Sequence, residues 1–440
     1  MRQRQRHKNE IIFKLLVNKA PLKRICEVVG ISPQTVYDKI NFLHRQCLAF
    51  VADRERMLAA EFRRRRLYVS VDSQQYLVNW SQRIDKRNVR LAAVASADNN
   101  TSYVFGVHVN FDDSLDGEQV EKDAIASGDY ALTYPFRKYA RIWLKRDYEE
   151  AAKRGLQRSR RAISLESDIS EVYAESLARE DIEISEELDD TLRLPSNGMQ
   201  VHSEYTLYAH FELLRTLFTG IEKVRFFLDQ DSGMRAACLA AFRREIKERT
   251  VDAFYVRIAK GKTIGKKRRL VGVARKRFRE EREQFSSLSE SQVKLRLIKQ
   301  QLANMKEHGK WRDRWLVHPF PNMSEPEKSV CYLTDMGDYD QDHLAWLYNK
   351  ATLHGVDRFL MQIRRRISML ERPIPSASSG RCVWHGYSPY NPAVITKLLD
   401  IFRVYYDYVL EGKDKRTPAQ RLGLADKGIT IEDLCLYGAP

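Results

Sequence analysis

Carboxylates stand at the ends of two apolar runs in this 440-residue sequence. In "LYVSVDSQQ" a β-branched run reaches Asp72, and in "VRFFLDQDSG" a second run reaches Asp229, with Asp231 two residues on. A third acid, Asp357, follows Gly355 at the head of the helical stretch "HGVDRFLMQIRRRISML". Brought together, such groups suit one kind of chemistry. Mg2+ and Mn2+ are hard cations that take oxygen ligands, commonly one or two carboxylates completed by water and substrate phosphate. Two such ions, about 4 Å apart, activate a water or a 3′-hydroxyl and stabilise the leaving oxygen of an in-line displacement at phosphorus. Without a cation, like charges that close raise one another's pKa. Each acid also has a plain structural reading: Asp72 and Asp229 as turn residues, Asp231 before Ser232 and Gly233 as a helix N-cap, and Asp357 as helix surface.

The elements that would position these acids follow from periodicity. Residues 66–110 carry period-two runs: Tyr68–Val71 ending at Asp72, "VRLAAVASAD" (89–98) and "TSYVFGVHVN" (101–110), joined by a short Asp-Asn-Asn turn, which predicts an antiparallel meander. A helix follows over 205–220, then a strand over 224–228, a helix from about 233 to 249 and a strand over 251–260. A polar helical stretch runs to about residue 306, then a Pro- and Asp-rich loop (317–342) and a final helical pair (343–372 and 391–412). Strands feeding a mixed sheet with helices between the later ones define an α/β class. Residues 113–200 turn acidic and irregular and read as an insertion or a partly helical outer module, not core. His108 and Asp112 stand four apart, but on a strand that spacing does not make a ligand pair.

Ahead of the sheet, residues 8–48 read as a helical module. Gly30 ends one helix, Ser32 caps the next, and Pro33 suits its first turn. That is a helix-turn-helix pattern in which Gln34, Thr35 and Lys39 would face a major groove. A plain three-helix bundle has the same pattern.

Charge points to a polyanion. Lys and Arg number 75 against 59 Asp and Glu, a net charge of +16, and basic surface gains affinity by releasing counterions from phosphates. The runs Arg63, Arg64, Arg65 and Lys266, Lys267, Arg268, Arg269, together with Arg364, would line a DNA track; a solvated helix face is the ordinary alternative. Trp384, Tyr387 and Tyr390 would either stack on bases or pack their loop. No apolar run is long enough to suggest a membrane span, and the basic N-terminus lacks the apolar run of a secretory signal. Six scattered cysteines, with no C-x-x-C spacing, argue against a zinc ribbon or a disulfide framework and suit buried thiols in a reducing cytoplasm.

Taken together, "YVSVDSQQYLVNW", "VRFFLDQDSGMRAA", "VDRFLMQIRRRISML" and the tail "KRTPAQRLGLADKGITIEDL" resemble the DDE-type transposases of bacterial insertion sequences, particularly those with an N-terminal helix-turn-helix. The resemblance covers well over half the chain. It implies an RNase H-like catalytic core with a five-stranded mixed sheet, in which Asp72, Asp229 and Asp357 hold two Mg2+ or Mn2+ ions and Arg364 follows the third acid by seven positions. It implies a bacterial, nucleoid-associated DNA transposase acting on double-stranded element ends and target DNA, at least as a dimer. The family's third acid is usually Glu, so Asp357 has one methylene less reach, and Asp231, Glu371 and Glu283 are the alternate ligands. Many relatives carry a four-cysteine ribbon before the helix-turn-helix; this sequence has none. The expected organisation is a DNA-binding module (1–60), a catalytic core (66–275) with its insertion at 113–200, a helical and loop insertion (276–342), core helices carrying the third acid (343–412) and a tail (413–440). A regulator that has lost catalysis, and a nuclease without strand transfer, are the alternatives.

Overall fold

In the computed structural model, the described residues are 5–58, 65–78, 89–148, 150, 169–170, 173, 197–259, 261–371, 374–375, 383–384 and 391–437. The class is mixed α/β, as the periodicity predicts, built on a single large sheet.

The chain opens with α1 (Asn9–Leu16), α2 (Leu22–Val29) and α3 (Pro33–Glu55). Gly30 ends α2 at φ 64°, a left-handed conformation that costs glycine nothing, and Ser32 caps α3 by accepting the Thr35 N–H. At 23 residues α3 far outruns a compact three-helix module. Its second half lies against the later helix α12 (Ala393–Tyr408), with Phe50 edge-on to Tyr408, and Phe13 of α1 meets Tyr405. The N-terminal helices thus share one continuous apolar core with the layer over the sheet.

β1 (Arg66–Val78), β2 (Val89–Asp98) and β3 (Val104–Val109) form the expected meander. α4 (Gly117–Ala126) belongs to the insertion, which has its own small core of Val120, Ala124, Ile142, Leu144 and Met199. Then come α5 (Ser203–Leu217), β4 (Lys223–Asp229), α6 (Ser232–Ala241), the short α7 (Arg243–Lys247) and β5 (Val251–Ile258). β4 lies parallel to both β1 and β5, so the first five strands stand in the order β3-β2-β1-β4-β5.

The sheet does not stop there. After α8 (Ile264–Gln284) and α9 (Glu290–Leu302) come β6 (Lys306–His308), β7 (Asp313–Val317) and β8 (Lys328–Tyr332), all antiparallel, which extend it to eight strands ordered β3-β2-β1-β4-β5-β8-β7-β6. The segment 317–342, a loop by composition, therefore carries a buried interior strand. Its disguise is Lys328, whose buried ammonium donates to Glu325 and to the Ala351 carbonyl, so a lysine sits in the strand without facing water. The helical stretch 343–372 is likewise two helices, α10 (Gln341–Lys350) and α11 (His354–Arg366), broken at 351–353. The chain ends with α12, α13 (Pro418–Leu422) and α14 (Ile431–Leu436).

Two faces of the sheet carry different layers. Phe226 of β4 meets Phe211 and Phe218 from α5 and its C-cap, and Phe242 after α6. On the other face Tyr68 and Phe227 stack, and Tyr68 meets Trp346 of α10, with α11 lying over β1 and β2.

Candidate acidic site

Strand alternation places the acids. On β1 the side chains of Tyr68, Ser70, Asp72, Gln74 and Tyr76 share the face covered by α10 and α11, and on β4 so do those of Arg225, Phe227 and Asp229. The β1–β4 register ends at Val71 opposite Leu228, so Asp72 and Asp229 are the next residues on adjacent parallel strands, with Cα atoms about 5 Å apart by strand spacing. The sequence reading has Asp72 end its strand; instead β1 runs on through Val78, paired only with β2. What ends at Asp72 is its parallel partner. Asp72 is buried, with one carboxylate oxygen accepting the Ser73 N–H, and Asp229 is half-buried.

α11 is fixed over this pair by its first turn. The Gly355 N–H donates to Asn99 Oδ1 (2.9 Å) and the Val356 N–H to Ser70 Oγ (3.0 Å), two residues before Asp72. The buried ridge of α11 is Val356, Phe359, Leu360 and Ile363. Phe359 meets Phe402 and Tyr406 of α12, the helix that covers β3. At roughly 100° per residue, Asp357 and Arg364 fall together on the flank away from Phe359. Arg364 lies near Tyr76, where its charge opposes the rise that burial gives the phenol's pKa. Asp357 thus rides on a turn anchored two residues before Asp72, and among the described residues no group of three His, Cys, Asp or Glu is close enough together to hold a metal ion.

The alternate ligands have roles or positions of their own. Asp231 is the N-cap of α6, its Oδ1 accepting the Met234 N–H at 2.8 Å, as its sequence context suggests. Glu371 lies beyond the far end of α11, paired with Lys19 in the turn between α1 and α2. Glu283 is exposed near the end of α8, a helix that packs on α9. Ser70, Asn99 and the buried Tyr76 escape sequence reasoning as partners of the site; the polar alternation Ser70, Asp72, Gln74, Tyr76 inside an otherwise apolar strand was the available signal.

The DNA-binding candidates divide. Gln34 is exposed and bonded to Asp38, and Thr35 is half-buried at the Ser32 cap. Lys39 corrects the sequence reading: only 4% exposed, its ammonium holds Asn9 Oδ1 (2.7 Å) and the Gln5 carbonyl, so it ties α3 to α1 and faces no groove. Arg65 donates to the Leu422 carbonyl. Lys266, Arg268 and Arg269 are exposed and Lys267 is half-buried, all in the first turns of α8. Arg63, Arg64, Tyr387, Tyr390 and the side chain of Trp384 lie outside the described residues. His108, set aside with Asp112, pairs instead with His210, their Nδ1 atoms 2.7 Å apart, and burial holds both below the ordinary histidine pKa.

Four of the cysteines (Cys47, Cys238, Cys331, Cys435) are buried free thiols, Cys26 is a half-buried one, and Cys382 lies outside the described residues. Among the described residues no helix is long and apolar enough to cross a membrane. No protein-family model matches the chain, and a search of curated proteins finds no significant match.

Proposed function

We propose that this chain is a metal-dependent polynucleotidyl transferase of the DDE transposase type, with an RNase H-like core formed by the first five strands. The observation that carries the reading is the register of Asp72 beside Asp229, on one face of adjacent parallel strands, under a helix whose Asp357-bearing first turn is anchored to Ser70. The strand order β3-β2-β1-β4-β5 supports it. The three added strands form a sheet wider than the family core requires.

Two carboxylates side by side on adjacent strands are a donor set that fits Mg2+ or Mn2+. Asp72 and Asp229 would hold the ion, Asp357 would complete the set, and the ion would supply Lewis-acid chemistry at the phosphodiester. The chain's own residues do the rest. Ser70 and Asn99 fix the helix that bears the third acid, and Arg364, beside Tyr76, offers its charge to the strand's phosphate. The net charge of +16 supports a nucleic-acid substrate. Strand transfer between two ends calls for at least two copies.

The test is a labelled duplex carrying the DNA that flanks the chain's own coding region, incubated with purified protein and Mg2+. Nicking at a 3′ end followed by joining supports the transposase. Nicking without joining supports a nuclease, and binding without nicking a regulator, a reading kept open by the shorter reach of Asp357 compared with the usual Glu.

A further inference from the structure

Helix α8 presents a one-sided charged surface. It packs through Lys267, Leu270, Val271, Ala274, Phe278 and Glu281, of which only Val271 is buried. The rest of its circumference is exposed and bears Lys266, Arg268, Arg269, Arg275, Lys276, Arg277, Arg279 and Arg282 against Glu280 and Glu283. Few of these charges are answered: Lys276 reaches Glu280 at 3.8 Å and Arg277 bonds Gln300. No ion pair within the described residues engages Lys266, Arg268, Arg269, Arg275 or Arg279. Packing so many cations together without partners repels, so the face carries a cost that an anion would relieve.

A second feature points the same way. Gly265 and Gly272, seven residues apart, lie in line on the outermost stripe of α8, with Arg269 and Lys276 close beside it. A Cβ at either would meet nothing within 4 Å, so no neighbour inside the protein demands glycine there. In an exposed helix each glycine costs about 1 kcal/mol relative to alanine. Two such positions make a smooth, close-approach strip flanked by guanidinium and ammonium groups.

Resting on the proposed function, we infer that α8 lies along the phosphate backbone of duplex DNA and holds it by charge, without reading its sequence. The helix is 21 residues, about 31 Å by its rise, close to one turn of a duplex. It also starts in the right place. β5 leaves the sheet at Ile258, beside the end of β4 that carries Asp229, and α8 begins six residues later at Ile264. A duplex tracked by α8 would therefore pass the acidic pair. The charges are arranged for phosphate contacts spread along a line, which sets the backbone's course without specifying bases.

The experiment is the salt dependence of binding to a random-sequence 30-base-pair duplex, followed by fluorescence anisotropy on the full chain. Each cation that neutralises a phosphate contributes about 0.9 to the slope of log affinity against log salt. The variant with Lys266, Arg268, Arg269, Arg275 and Arg279 all changed to Gln should flatten that slope by about 3 to 4.5. A slope within about 0.5 of wild type overturns the inference. Gly265→Leu with Gly272→Leu supplies the second arm: thermal stability should hold or rise while duplex affinity falls by about tenfold, as an obstructed approach requires. Unchanged affinity in a folded protein would show that the strip is merely solvated. If instead anionic vesicles of phosphatidylserine bind with the same slope and DNA does not, the occupant is wrong. An unchanged slope in a Gln variant that still cleaves an element end would leave the proposed function standing while this inference fails. A wild type that binds no duplex defeats both.

Discussion

Gly355→Ala sets local preference against tertiary packing, and the two predict opposite signs. Gly355 is the second residue of α11, where alanine is the better helix former by about 1 kcal/mol. An added Cβ, however, would stand 2.7 Å from Asn99 Oδ1, 3.0 Å from Ser70 Oγ and 3.2 Å from the Asp98 carbonyl. Two of those atoms accept the backbone N–H groups that dock the helix. To restore ordinary contact the turn must retreat by about 0.5 Å or more, stretching both hydrogen bonds at about 1 kcal/mol each. Strain in a packed contact adds about 1–3 kcal/mol. The balance is a loss of about 2–4 kcal/mol, read as a lowered urea midpoint with an unchanged slope. Because Asp357 rides on the displaced turn, Mg2+-dependent nicking should fall about ten- to a hundredfold, with duplex affinity near wild type. A stabilised variant, or one that nicks normally, would refute the claim that this contact positions the third acid.

Other changes separate architecture from chemistry. Asp252 is fully buried at the opposite end of the sheet, within 3.0 Å of Lys223 Nζ and 3.4 Å of Arg225 Nε, and it accepts the Tyr332 hydroxyl; Asp252→Ala should cost about 3–5 kcal/mol by stranding those cations, seen in thermal scans. Lys39→Met should lower stability by about 1–3 kcal/mol through the loss of its bonds to Asn9 and Gln5, while the salt slope of DNA binding stays at its wild-type value. Acid should unfold the protein early. Burial lowers the pKa values of His210 and His318 and takes His202 down to about 3, so stability is full above the unfolded histidine value near 6.5 and is lost as pH falls toward 3. His202 alone should account for about 2 kcal/mol by pH 5, checked by urea titrations at pH 7 and pH 5.

The acids were legible because each ends or interrupts an apolar run, and Asp229 in particular closes a strand as the sequence suggests. The α/β class and the β1–β2–β3 meander were legible for the same reason: period-two runs and short turns survive in the local sequence. The extra strands were not. β6 and β8 each begin with a lysine, and β8 is buried because its neighbours supply Glu325 and the Ala351 carbonyl, which no local pattern reveals. Lys39 was misplaced by the same logic. A lysine on a helix reads as surface, and only the fold brings Asn9 beneath it. The role of Gly355 was half visible: glycine at a helix start suggests a turn, but the close approach to Ser70 and Asn99 joins residues more than 250 positions apart.

The most direct measurement is Mg2+-dependent cleavage of an element-end duplex by Asp72→Asn, Asp229→Asn and the double variant, beside their DNA affinities. The account predicts that each single change lowers the cutting rate by about a thousandfold, that the double variant is no worse than either, and that affinity is retained. A single variant that cuts at the wild-type rate would contradict it.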